Sequence, residues 1–401
     1  MPWKETCAVE LRESMVLAML AKDASVAALC REAGVSRRTA YKWLGRYEEG
    51  GRGALADRSR ARRMQEFRVS GEVEDAILWA RSRHPTWGAK KILPHLERTE
   101  PDLALPGQST AGEILRRAGL TAASKRTPRR VGPMNRGEPA ACPNQVWTID
   151  FKGEFRLGNG EMCYPLTVAD AFSRYLLCVD GKRGTQLRGV MASTRRLFGE
   201  RGLPERIKSD NGTPFAGNGL ARLSRLSVWF MSLGITVEHI TPGKPGQNGS
   251  HERMHRVLKA ETTRPPAGTM PGQQRRFVGF IDEYNHVRPS EAIGQQTPAT
   301  LYLPSPREYR ADTPEPDPYA GHWERQRVKP DGTIRWRSGR LFIAAPLAGR
   351  LVGLVETDEN LWELHYQRTL VGLIDDRDGR TRVRDPLARA ARPRTTAGRA
   401  T

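Results

Sequence analysis

The sequence predicts a multidomain chain, with all-α helix-turn-helix units at the N-terminal end, a central α/β core on a mixed sheet and a small C-terminal β-barrel. Three observations predict it. Apolar residues recur at helical spacing as far as Ala123. From Pro143 on, short β-rich runs alternate with helical stretches. Beyond the proline-rich stretch from Thr313 to Pro318, short strands follow one another, broken by glycines.

The chain has 401 residues, enough for about two to four domains. Its 65 Lys plus Arg outweigh 45 Asp plus Glu, and a net charge of +20 suits a polyanionic partner, above all double-stranded DNA. Cys7, Cys30, Cys142, Cys163 and Cys178 show no CxxC spacing, which speaks against a disulfide framework or a zinc knuckle. No run reaches the roughly 18 apolar residues of a membrane span, and no signal core stands at the start. The expectation is a cytoplasmic protein with no membrane partner.

Residues 1–57 are read as a helix-turn-helix domain: VAALCREAG, a turn at Gly34, then VSRRTAYKWLGRY with Ser36 as the cap. Ala40, Trp43, Leu44 and Tyr47 share one face of the second helix, which leaves Arg37, Arg38, Lys42 and Arg46 for DNA. A helical hairpin with a merely solvated basic face is the bland alternative. Residues 58–123 form a second helical unit, with helices over Val73–Arg83, Trp87–Leu96 and Ser109–Ala118. Ser109 is its expected cap, and Arg116 and Arg117 are its candidate DNA contacts; a structural spacer is the competing reading. Residues 124–142 form a basic linker rich in Arg, Pro and Gly.

Within residues 143–310, VWTIDF, MCYPLTVAD, YLLCVDG and ERIKSD read as strands, with a helix from Gln186 to Phe198. Three acids stand out: Asp150 in WTIDFKG, Asp210 in IKSDNGTPF and Glu252 in PGQNGSHERMHRVLK. Carboxylates at the ends of adjacent strands can share a hard divalent cation, because neighbouring strands lie about 5 Å apart. Glu252 sits on a helix entered from the glycine-rich loop TPGKPGQNG, with Arg256 and Lys259 on the same face. A surface ladder of charges is the alternative for that spacing. His251 and His255 flank the acid; one is expected on the wrong helical face and neither has zinc spacing, so both are read as packing or DNA-facing residues.

Taken together, WTIDFKG, SDNGTPF and GQNGSHERMHRVLK followed by YNHVRPSEAIGQQTPATLY resemble the DDE transposase and retroviral-type integrase core, nearest to bacterial insertion-sequence transposases of the IS481 and IS3 kind. The resemblance covers roughly Pro143 to Leu303 and implies a ribonuclease-H-like core with a mixed five-stranded sheet. It implies that Asp150, Asp210 and Glu252 hold two Mg2+ ions, replaceable by Mn2+, and that Asn211, Gln247, Asn248, Arg256 and Lys259 contact DNA. It also implies two-metal 3′-end cleavage at terminal inverted repeats, strand transfer into target DNA, and a homo-oligomeric, nucleoid-associated bacterial protein. The sequence departs from the pattern in two places. The gap between Asp210 and Glu252 holds 41 residues, with the extra length placed in FAGNGLARLSRLSVWF, and Ser290 stands where His is usual. Glu238, Glu261 and Glu283 are the substitutes for the third acid. A transposase-derived DNA-binding regulator without activity is the alternative function.

Residues 322–376 supply five strands for the barrel: TIRWRS, RLFIA, RLVGLVE, LWELHY and TLVGLID. Arg335, Trp336 and Arg337 are candidates for gripping DNA or a neighbouring subunit. The tail over 377–401, rich in Arg, Gly, Pro and Ala, is expected to be disordered.

Overall fold

The computed structural model describes residues 7–57, 69–121, 139–240, 249–312, 315–377 and 381–386. They divide into two compact units, Met1–Val69 and Ser70–Thr401. The basic linker therefore lies almost wholly outside the described residues, as do Gln247 and Asn248 of the glycine-rich loop.

The first unit holds α1 (Ala8–Ala21), α2 (Val26–Glu32) and α3 (Arg37–Gly50). Ser25 and Ser36 cap the second and third helices, and the Ser36 hydroxyl accepts from the Thr39 amide at 3.2 Å. Gly34 takes the positive φ that the turn between them needs. Ala40 and Trp43 pack against Met15, Val16, Cys30 and Leu55, while Leu44 and Tyr47 lie half-buried beside them. The helix α1 was not legible in the sequence because Leu11, Leu17 and Leu20 are exposed on it, which erases its apolar stripe.

The second unit begins with α4 (Gly71–Arg83), α5 (Ala89–Thr99) and α6 (Gln108–Arg117). Ile77, Ile92, Leu96 and Ala111 of these helices, and Trp87 between the first two, are fully buried. The cap of α6 is Gly107 rather than Ser109; the helix starts one residue earlier, which leaves Ser109 inside the first turn. This block docks on the segment that ends the core. The Lys91 ammonium donates to the Pro289 carbonyl at 2.6 Å, Arg98 donates to that of Val287 at 2.8 Å, and His84 Nδ1 lies 2.9 Å from Glu283.

The core strands are β1 (Val146–Phe151), β2 (Phe155–Arg156), β3 (Met162–Asp170), β4 (Leu176–Lys182), β5 (Arg206–Ser209) and β6 (Thr236–His239). The main sheet runs β4-β3-β1-β5-β6, antiparallel on the β3 and β4 side and parallel on the β5 and β6 side. Two-residue β2 pairs with β3 beyond the end of β1. The sheet is thus mixed, as expected, and TVEH supplies the fifth main strand. Around it lie α7 (Leu187–Arg201), α8 (Arg225–Ser232), α9 (Gly249–Thr262) and α10 (Met270–Asp282). Alternation along each strand builds the layers. Trp147, Ile149, Leu166 and Val168 pack with Val190 and Phe198 of α7 and with Leu226 and Phe230 of α8. Cys163 and Ala169, from alternate positions of β3, pack with Met254 and Leu258 of α9 and Phe277 of α10.

The C-terminal region contains β7 (Glu324–Arg327), β8 (Thr333–Trp336), β9 (Gly339–Phe342), β10 (Leu351–Asp358), β11 (Leu361–Tyr366), β12 (Thr369–Asp375) and β13 (Arg382–Arg384). The expected barrel is, among the described residues, an open antiparallel sheet in the order β13-β12-β11-β10-β7 beside a β8-β9 hairpin. Its edge strands are too short, three and four residues, to close on each other. The tail is not wholly structureless either. Arg377 and Arg384 both pair with Asp375, at 3.0 and 2.7 Å, and hold β13 on the sheet. Leu223, Val228 and Met231 from the Asp210–Glu252 interval share one apolar cluster with Ile334, Leu347, Leu364 and Ile374. The extra residues of that interval therefore build the platform on which the C-terminal sheet rests.

Candidate active site

The strand β1 carries Asp150 on the face opposite Trp147 and Ile149, beside Thr148. The register on β5 runs Trp147↔Ile207, Thr148↔Lys208 and Ile149↔Ser209, so Asp210 follows β5 at the same offset as Asp150 on β1. The register thus puts Asp150 and Asp210 at equivalent positions toward the C-terminal ends of adjacent parallel strands. Asp210 is held by its own turn, where its Oδ1 accepts from the Gly212 amide at 3.1 Å. A Cβ on Gly212 would stand 3.1 Å from Asp210 Oδ2, so this glycine leaves room beside the carboxylate. Asn211 braces the loop: its amide donates to the Ile240 carbonyl at 2.7 Å, and its carbonyl accepts from Arg222.

On α9, His251, Met254, His255 and Leu258 are buried, whereas Glu252, Arg256 and Lys259 are exposed along one flank. Both histidines face the sheet, one turn apart, which corrects the expectation that one lies on the wrong face. Their Nε2 atoms meet the Thr167 hydroxyl of β3 at 2.6 and 2.7 Å, and His251 Nδ1 meets the Thr148 hydroxyl at 2.8 Å. Burial pushes the His251 imidazole down to about 4 and that of His255 down to about 2, the latter helped by His251 and Lys152, so both rings are neutral. The Lys152 ammonium, just past β1, is itself depressed by burial and by nearby Lys259. These two lysines mark where the exposed flank of α9 borders the end of β1.

Asp150 lies with the ligand atoms of His251 and His255 within 4.8 Å of one another. Among the described residues this is the grouping at metal-ligand spacing; Asp210 and Glu252 do not join it. The threonine hydroxyls already engage the histidine nitrogens, which makes the pair a packing device beside Asp150. The substitutes for the third acid are occupied. Glu238 pairs with Arg206 at 2.9 Å, Glu261 with Arg288 at 2.8 Å and Glu283 with His84. Glu252 makes no ion pair with a described residue. The sequence analysis did not single out Thr148 and Thr167; the signal available was that they share a strand face with Asp150 and Ala169, the other face being apolar.

The DNA-contact candidates divide by surroundings. Arg37, Arg38 and Lys42 are exposed on α3, while Arg46 is half-buried with its guanidinium 4.8 Å from the Trp43 ring. Arg116 and Arg117 are exposed but paired, with Glu113 at 2.5 Å and Glu74 at 3.1 Å. In the C-terminal hairpin, Trp336 is buried and donates to Asp376, which also pairs with Arg337; Arg335 alone of the three is both exposed and without such a tie.

Residues 140–245 match the family model described as integrase core domain, and residues 233–298 match a second model of the same description. Ahead of that core, residues 14–75 match a winged helix-turn helix model. The chain is similar to an uncharacterized 31.7 kDa protein of insertion element IS407 from Burkholderia multivorans, 29% identical over 190 residues. It is also similar to an uncharacterized 39.2 kDa protein of insertion element IS476 from Xanthomonas euvesicatoria, 26% identical over 176 residues. The matched stretches cover 46% and 44% of this chain but only 65% and 49% of those relatives. Among solved structures, the HTLV-2 integrase catalytic core in complex with magnesium is 15% identical, with a TM-score of 0.32 over 41% of this chain and 99% of that one. A simian T-cell lymphotropic virus intasome in complex with the PP2A regulatory subunit B56 gamma is 16% identical, with a TM-score of 0.37 over 69% and 97%. No helix among the described residues is long and apolar enough to cross a membrane.

Proposed function

We propose that this chain is a DDE-type DNA transposase, a polynucleotidyl transferase that cuts the 3′ ends of an insertion element and joins them to target DNA. The observation that carries the reading is the pair Asp150 and Asp210, at equivalent positions on adjacent parallel strands, with Glu252 exposed on α9, whose buried His251 and His255 lie by Asp150. All three are hard oxygen donors suited to Mg2+ or Mn2+. When bound there, a divalent ion pair supplies Lewis-acid stabilisation to the attacking and leaving oxygens of an in-line displacement.

The protein's own residues supply the rest. Asp150 and Asp210 present carboxylates from a rigid sheet, and Gly212 keeps space beside the second. Arg256 and Lys259, on the flank of α9 that carries Glu252, hold the phosphates of the DNA end. The exposed cations of α3 bind the terminal inverted repeat, with base readout from the start of that helix. Gln247 and Asn248 belong to the loop entering α9 and are assigned to the DNA end by the resemblance alone. Two ends must be brought together for a concerted reaction, so the working form is a homo-oligomer, in the bacterial cytoplasm at the nucleoid.

The test is strand-specific cleavage and joining of duplex DNA carrying the inverted repeats that bracket the gene, with Mg2+ or Mn2+. Asp150→Asn is expected to lower the rate by about a thousandfold or more while end binding persists. Retained cleavage in that variant would remove Asp150 from the chemistry. End binding by the native chain with no cutting in Mn2+ would favour the silent regulator instead.

A further inference from the structure

We propose that Thr167 is a positioning residue: its hydroxyl ties both buried histidines of α9 to the strand pair β1 and β3, and so fixes where Glu252 stands relative to Asp150. The proposal rests on the reading that these two acids act together.

A threonine hydroxyl has one proton to give and two lone pairs. Thr167 Oγ1 has three partners: the Asp150 carbonyl at 3.0 Å, His251 Nε2 at 2.6 Å and His255 Nε2 at 2.7 Å. The carbonyl can only accept, so the proton goes there. Both imidazoles must then donate from Nε2 into the two lone pairs, which leaves His251 Nδ1 to accept from the Thr148 hydroxyl at 2.8 Å. That assignment satisfies all three Thr167 contacts, and the Thr148 proton goes to His251 Nδ1 in preference to the more distant Ala169 carbonyl at 3.2 Å.

Geometry gives the network its consequence. Both rings are buried and lie nearly perpendicular, with centroids 4.6 Å apart, so neither can turn without losing its hydroxyl. One hydroxyl therefore holds two successive turns of α9, and Glu252 lies between the two histidines in sequence. The same hydroxyl holds the peptide of Asp150 itself. Apolar packing by Met254 and Leu258 holds the helix on the sheet; the hydroxyl contacts fix its register along it. Without the Thr167 oxygen, two imidazole N–H donors are left buried and unpaired, and α9 has an incentive to slide or lift toward water.

The test compares Thr167→Val, which keeps the shape, with Thr167→Ser, which keeps the oxygen, in the full chain. Hydrogen exchange of the amides over 249–262 reads the latch without any activity: exchange is expected to rise in the valine variant and return to native in the serine variant. In the cleavage assay with Mg2+, the valine variant is expected to lose about tenfold or more in kcat at unchanged KM for the DNA end and to need more Mg2+ for half-maximal rate, with serine restoring both. If Thr167→Val folds poorly, Thr148→Val removes the His251 Nδ1 partner together with a contact to the Ala169 carbonyl, and should shift exchange and Mg2+ demand in the same direction, by less. Native exchange over 249–262 in Thr167→Val, or a serine variant as impaired as valine, overturns the proposal. Cleavage that survives Asp150→Asn would instead overturn the underlying reading, and the exchange result would still decide the latch.

Discussion

Side chains that look alike in the sequence are separated by what surrounds them. Lys91 and Lys259 are both cations in basic segments, yet Lys259 is exposed on α9, whereas Lys91 is turned inward to the Pro289 carbonyl. Burial, and then the Arg288 charge, push the Lys91 ammonium down to about 8, against the pull of Glu291 and Glu261. Between about pH 8 and its ordinary value the unfolded chain holds more protons at this site than the folded one, so stability rises with pH across that window and the penalty is fully present below it. Lys91→Gln keeps an N–H donor for Pro289 and removes the charge. Its melting temperature should exceed the native one by roughly 2 °C or more at pH 7, and the gain should vanish by pH 10; an equal gain at both values would mean that charge burial is not its cause. The thiols sort in the same way. Burial pushes Cys163 up to about 12, and Cys178 is raised further from reaction by burial and by Asp180. Exposed Cys7 and Cys142 should therefore be alkylated in the native protein at pH 8, while Cys163 and Cys178 label only on unfolding, as mass spectrometry of the labelled peptides would read.

Elements were legible wherever one face of the chain was apolar and the other was not. VWTIDF announced β1 because Trp147 and Ile149 alternate with Thr148 and Asp150, and Ser36 announced the start of α3 because a hydroxyl there caps free amides. α1 escaped because Leu11, Leu17 and Leu20 point outward on it while Met15 and Val16 point inward, and β6 because TVEH is short and no residue of it is fully buried. The acids were legible in their motifs, but the buried threonine and histidine contacts beside Asp150 were not. They join residues 84 and 88 positions apart, which no local period records. The cap on α3 yields a direct test. Ser36→Ala should cost the first unit about 1 kcal/mol, measurable by urea unfolding. Separately, replacing Arg37, Arg38 and Lys42 with alanine should weaken binding to the inverted repeat and make its dependence on salt shallower by up to about three counterions. Unchanged salt dependence would take α3 off the DNA.

The second unit joins a helical block, a mixed sheet and an open C-terminal sheet, and its cohesion comes from pieces that read as separate in the sequence. The long interval between Asp210 and Glu252 read as an insertion that weakened the third acid; in the fold it supplies Leu223, Val228 and Met231 to a cluster completed by Ile334, Leu364 and Ile374 from the far end of the chain. A sheet with short open edges cannot bury both of its faces alone, and the central core supplies the missing layer. Leu364, fully buried in β11, is remote from the acids but central to this shared cluster. Leu364→Ala should cost about 2–5 kcal/mol, through lost contact and the cavity left behind. Because the cluster is common to both parts, the loss should appear in the core as well as in the sheet. Fluorescence of Trp147 and Trp229 in the core should shift at the same reduced denaturant concentration as that of Trp362 in the C-terminal sheet, each followed in a variant whose other tryptophans are replaced by phenylalanine. Core tryptophans that keep their native midpoint while Trp362 loses its own would show the C-terminal sheet to be an independent module resting on the core without stabilising it.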